Sequence, residues 1–232
     1  MSVRQSRQWF RRLLALSDIC LVLFVVLGAS LLAGLATTRL FPEADLIVLL
    51  FLQGTLILGG MVAIMVWRRL HPLGIRMRWP VPVDLLRGLG ALFLFILVNL
   101  MFAAVVNQVN PELLEDHHDH LGGFGADLVA EMSISMVALA MLFVALYEEL
   151  VARGLLLARS EALLGGIWGP VLLSSILFGL GHFYQGWVGV IQTTLAGIVL
   201  ARLTIYWGTL WPAIIAHGLL NTLSLLLLGF LR

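Results

Sequence analysis

The sequence predicts an all-α fold, a polytopic transmembrane helical bundle with about seven spans, and three observations carry that prediction. The 232-residue chain is 61% hydrophobic and only 12% charged, roughly half the charge of an ordinary soluble domain. Its mean hydropathy is +1.03. Its apolar residues fall into runs of about 17 to 25, the length that one crossing of a bilayer needs. A soluble enzyme is excluded, the lipid bilayer is the expected surrounding, and no nucleic-acid partner is expected.

Taken in order, residues 1–18 form a basic segment with Arg4, Arg7, Arg11 and Arg12, interleaved with Trp9 and Phe10. Such a segment suits the membrane interface. Its start resembles a signal peptide, but Asp18 interrupts the apolar run and no A-x-A site follows, so an uncleaved first helix is expected. Apolar runs follow at 19–38, 46–67, 84–106, 128–159, 167–183, 187–206 and 209–231. The lone cysteine, Cys20, lies inside the first run, which excludes disulfides and cysteine metal clusters.

All 14 basic residues are arginine, read as the compositional bias of a high-GC genome, and a bacterial inner (plasma) membrane is the expected setting. Arg68, Arg69, Arg76, Arg78 and Arg87 fill the segment after the second run, whereas 107–127 carries none. The positive-inside rule then puts the N-terminus and the 68–87 segment in the cytoplasm. Within 107–127, Glu115, Asp116, His117, His118, Asp119 and His120 are all potential metal ligands. Adjacent residues rarely share one coordination sphere, and Gly122, Gly123 and Gly125 follow, so a solvated acidic loop is the expectation there. "RMRWPVPVD", residues 76–84, reads as a proline-stiffened linker.

The fourth run ends in chemistry. "FVALYEELVARG" sets Glu148, Glu149 and Arg153 at the end of an apolar stretch, where an ionisable group costs at least roughly 2.5 to 3.5 kcal/mol. Glu149 and Arg153 are four apart on one helix face, in the favourable acid-before-base order. Glu148 points about 100° away and lacks that partner.

Two later runs carry further polar groups: His182 in "SSILFGLGHFYQ", four residues after Phe178, and His217 with Asn221 in "WPAIIAHGLLNTLSLL". Gly179 and Gly181 would let a backbone or a substrate approach. Buried polar groups need partners, so these residues are expected to meet Glu148. A carboxylate beside a histidine can deprotonate water, and a His and Asn on one helix face can donate to a developing oxyanion. With no serine in a nucleophile motif, Cys20 remote and no HExxH, the implied reaction is attack of water on an amide.

These residues resemble a family. "EELVAR" fits EExxxR, "FGLGH" fits FxxxH and "HGLLN" fits HxxxN, in the order found in the CPBP family, the CAAX protease and bacteriocin-processing membrane proteins also called Abi. The resemblance covers about 138–225. It implies a glutamate-type intramembrane endopeptidase in which Glu148 and His182 activate water and His217 and Asn221 form the oxyanion hole. Glu149, Arg153 and Phe178 are implied as supporting residues. No cofactor is implied, although the residues are compatible with a divalent metal. Eukaryotic relatives remove the last three residues of prenylated CAAX proteins, and bacterial relatives include peptide-processing and non-proteolytic members. The partner is then a membrane-associated protein or peptide substrate, and no oligomeric state follows.

The resulting organisation is a basic segment at 1–18, N-terminal spans and loops at 19–127 and a catalytic helical core at 128–232. Two other readings fit the same residues: a non-proteolytic scaffold or regulator, and a transporter, which would be expected to show related halves that this chain lacks. With straight spans, Glu148 and His217 lie about 12 to 17 Å above the cytoplasmic side and His182 about 22 Å. The expected cavity opens to the cytoplasm, and the fifth segment has to tilt or start deeper to bring His182 into register.

Overall fold

The computed structural model describes residues 3–40, 46–117, 119 and 132–230. Every regular element among them is helical: α1 (Val3–Arg39), α2 (Leu46–Arg68), a 3-10 turn (Pro72–Ile75), α3 (Pro82–Val109), α4 (Ile134–Glu149), a π-helical segment (Leu150–Leu156), α5 (Leu157–Leu164), α6 (Trp168–Leu180), a 3-10 turn (Phe183–Gln185), α7 (Gly186–Trp207) and α8 (Trp211–Phe230). A short helical stretch covers 111–117. Of the His/Asp-rich loop, His118 and His120 lie outside the described residues, as do the three glycines behind it and the 127/128 boundary.

Local signals explain the ends. Ser133 caps α4 by accepting the amide of Met136 at 3.3 Å, the standard use of a serine at that position. Pro82 starts α3, and the Asp84 carboxylate takes the Val81 amide at 3.0 Å. α5 stops at Gly165 (φ 70°) and α7 at Gly208 (φ 64°), conformations that L side chains resist.

Five helical rods among the described residues are long and apolar enough to cross a membrane, at Gln5–Arg39, Leu46–Arg68, Pro82–Val109, Ile134–Leu164 and Phe183–Trp207. Two further apolar helices, at Trp168–Leu180 and Trp211–Leu227, are shorter. Each of the seven expected runs holds a helix among its described residues, but the fifth is a helix of 13 residues, about 20 Å long. Gly165 and Gly166 delay its start and the turn at His182 ends it. Large apolar side chains, including Phe24, Val66, Phe93 and Leu139, face outward from the rods. Together these features describe a multi-pass membrane protein, since lipid-facing helices need no polar exterior.

That short helix removes the mismatch in depth. Glu148 lies 16 residues before the end of α5 at Leu164, about 24 Å, and His182 lies 14 residues after the start of α6, about 21 Å. α5 and α6 join through three residues, so the two side chains reach the same level.

α8 is the central rod, packed on α3 and α4, while α7 packs on α3 and α6, α2 packs on α1 and α4, and α5 packs on α1. Gly218 makes the α4 contact possible: a Cβ there would stand 3.1 Å from Leu142 Cα. α1 runs unbroken through the basic segment, and Asp18, expected only as an interruption, is 3% exposed. Its carboxylate pairs with Arg68 of α2 at 2.6 Å and Arg159 of α5 at 3.6 Å.

Candidate active site

The last turn of α4 and the π-segment deliver the acidic pair. Glu149 is fully buried and Arg153 is 1% exposed; Arg153 Nη1 donates to Glu149 Oε1 at 2.7 Å, the pairing expected from their spacing. π-turns occur mostly at functional sites, and here all seven residues of the segment are buried.

Glu149 has a second partner. His217 Nδ1 lies 2.8 Å from the same oxygen, joining α8 to α4. Because a carboxylate in an ion pair with Arg153 only accepts, Nδ1 carries the proton. His217 Nε2 then faces the other carboxylate, 3.6 Å from Glu148 Oε2.

His182 approaches from the opposite side. Its Nδ1 lies 3.0 Å from the Phe178 carbonyl, which again makes Nδ1 the donor and leaves Nε2 as the free ring position. That Nε2 is 3.8 Å from Glu148 Oε2. Glu148 Oε2 thus stands between two imidazole Nε2 atoms, at distances beyond a direct hydrogen bond but within the span of one bridging water.

Phe178 holds the three groups together. The Arg153 guanidinium lies over its ring at 4.3 Å, and its ring meets His182 and His217 edge-on at 4.7 and 6.2 Å. Such cation–π contacts are worth about 2 kcal/mol when desolvated. Phe95 of α3 flanks His217 at 6.3 Å and Tyr184 stacks on His182 at 5.9 Å. The Arg153 guanidinium offsets the buried Glu149 carboxylate, which limits the cost of burying it.

Asn221 follows His217 by one turn of α8 and is half-buried. Gly179 lets α6 meet α7, since a Cβ there would collide with Thr194 and the Val190 carbonyl; beside Gly181 only its own turn is found. No trio of His, Cys, Asp and Glu side chains among the described residues is spaced to hold a metal ion.

Sequence reading missed the Glu149–His217 bond, which joins residues 68 apart. It also missed a polar chain beside the site. Gln192 of α7 donates to Asn99 of α3 at 2.5 Å and faces His117 at 3.0 Å. A lone amide in "FILVNLMF" and another in "VIQTTL" were the available signals. His117 corrects the solvated-loop expectation: it is only 4% exposed, whereas Glu115, Asp116 and Asp119 are exposed.

Fold and site together define a class, the multi-pass helical membrane proteins with a carboxylate–histidine centre buried between the helices. Residues 130–223 match the family model of Rce1-like type II CAAX prenyl endopeptidases. That segment contains Glu148, Glu149, Arg153, Phe178, His182, His217 and Asn221 and is similar to the Rce1-like domain of CAAX prenyl endopeptidases. No curated protein and no solved structure matches the chain.

Proposed function

We propose that this protein is a glutamate-type intramembrane endopeptidase hydrolysing a peptide bond of a membrane-associated protein or peptide. The observation that carries the reading is the position of Glu148 Oε2 between the Nε2 atoms of His182 and His217, at 3.8 and 3.6 Å. Glu148 takes a proton from a water that His182 Nε2 orients by accepting its second proton in a hydrogen bond. The hydroxide adds to the scissile carbonyl carbon. His217 Nε2–H and the Asn221 amide then stabilise the oxyanion, donors of a kind worth about 2.7 to 4 kcal/mol each in such sites. The tetrahedral intermediate collapses as Glu148 returns the proton to the leaving amine.

Glu149, paired with Arg153, acts through His217, accepting from Nδ1–H and setting where the ring points while Nε2–H faces the oxyanion. No step uses a metal. The working topology has the N-terminus in the cytoplasm and the protein in a bacterial plasma membrane, following the arginine distribution.

Accumulation and cleavage separate the roles. Glu148→Gln and His182→Ala should accumulate like wild type while losing cleavage by about 100-fold or more. Equal loss of protein level in Glu148→Gln and Arg153→Ala would instead make the cluster a purely structural core. A chelator should leave cleavage intact; loss restored by one particular metal would displace the metal-free reaction.

A further inference from the structure

The hydrogen bonds around His117 have a direction that can be read from one fixed end. The Phe95 carbonyl, which only accepts, takes Asn99 Nδ2 at 2.8 Å. That turns Asn99 Oδ1 toward Gln192 Nε2 and leaves Gln192 Oε1 facing His117 Nε2 at 3.0 Å. Reversing Gln192 would set its oxygen against Asn99 Oδ1, and reversing both amides would set Asn99 Oδ1 against the Phe95 carbonyl. The other ring nitrogen, Nδ1, faces the Gln185 carbonyl at 3.3 Å. Both nitrogens of His117 therefore meet acceptors, and only an imidazolium donates from both.

The socket is built for this ring. A Cβ at Gly189 would lie 3.3 Å from His117 Cε1 and 2.5 Å from Gln185 Cβ, so α7 leaves out a side chain where the histidine enters. Beside the ring is a cavity of about 500 Å³, with Asn110 at the end of α3, Gln185 and Asp116 among its lining. Asp116 is the acidic group of that lining. The 3-10 turn presents the Gln185 carbonyl and α7 presents Gln192 to the ring, Asn99 of α3 meets Gln192, and the Tyr184 hydroxyl takes Gln185 Nε2 at 3.0 Å.

Gln185 ties this network to the reaction centre. Its amide closes the turn on the His182 carbonyl at 2.9 Å, so holding Gln185 holds the backbone of His182. At its other end the network reaches Phe95, whose ring flanks His217. We propose that His117 is a positioning residue: as an imidazolium it clamps the turn after His182 to α7 and α3 and fixes the approach of His182 to Glu148. The positioning role rests on the protease reading; the protonation state and the clamp do not.

The test is nitrogen NMR of full-length protein labelled in its histidine rings, reconstituted in nanodiscs at neutral pH. His117 and His182 are assigned from the signals lost in His117→Leu and His182→Ala. Two protonated ring nitrogens are expected for His117, and His117→Leu is expected to move the His182 signals. Should that variant fail to fold, Gln192→Leu, which removes the Nε2 acceptor together with the bond to Asn99 but leaves the Gln185 carbonyl at Nδ1, is expected to return His117 to a singly protonated ring. An unprotonated His117 nitrogen in wild type, or unmoved His182 signals in His117→Leu, would overturn the proposal. Repeating the spectra on inactive Glu148→Gln separates the two readings, because the His117 signals should persist there whether or not the chain is a protease. With a substrate in hand, His117→Leu should lower kcat by about 10- to 100-fold with KM little changed; an effect on KM alone would overturn the positioning role.

Discussion

Glu149 is the residue on which the site turns, because one buried oxygen serves Arg153 and His217 together. Arg153→Ala leaves that carboxylate with a histidine but no permanent cation. Breaking a buried pair costs about 3 to 5 kcal/mol, so the variant should accumulate to well below wild-type level in membrane immunoblots, in contrast to Glu148→Gln. Phe178→Leu keeps the apolar volume but removes the ring over Arg153. It should cost about 2 kcal/mol or less and lower activity more than protein level. The i, i+4 pairing of Glu149 and Arg153 and the isolation of Glu148 were legible in the sequence, because helical spacing alone determines them. The choice of His217 as second partner was not, since it depends on which face α8 turns toward α4.

Among the elements, the contact of α8 with α4 brings His217 to the acidic pair, and Gly218 sets its closeness. Gly218→Val should push the helices apart, with loss of both accumulation and residual specific activity; normal activity in purified protein would show that the spacing is not needed. Apolar run length disclosed every rod, because burial in lipid demands continuous hydrophobicity. It overstated the fifth, where glycines at one end and a turn at the other trim the helix. The π-segment left no sequence mark, since "LVARGLL" reads as a continuation of the helix before it. His117 was misread for a similar reason: a charged, glycine-followed stretch looks solvated until α7 is seen to provide a socket at Gly189.

At the scale of the whole molecule, the N-terminal helices are anchored to the family domain by Asp18, which reaches Arg68 and Arg159 across three elements. A second tie runs from Arg76 to Glu161, with contacts at 2.7 and 2.9 Å. Asp18→Leu leaves the two arginines without their buried acid and should lower thermal stability in detergent, while the molecules that remain folded keep wild-type specific activity, since no catalytic group touches Asp18. The proposed cleavage of peptide bonds at the buried carboxylate–histidine centre is tested by comparing N- and C-terminal peptides from membranes of cells carrying wild-type protein or Glu148→Gln at matched expression. New termini found only with wild type are predicted, and they would identify the substrate. Identical termini in the two samples, with a phenotype or partner retained by the variant, would contradict the account.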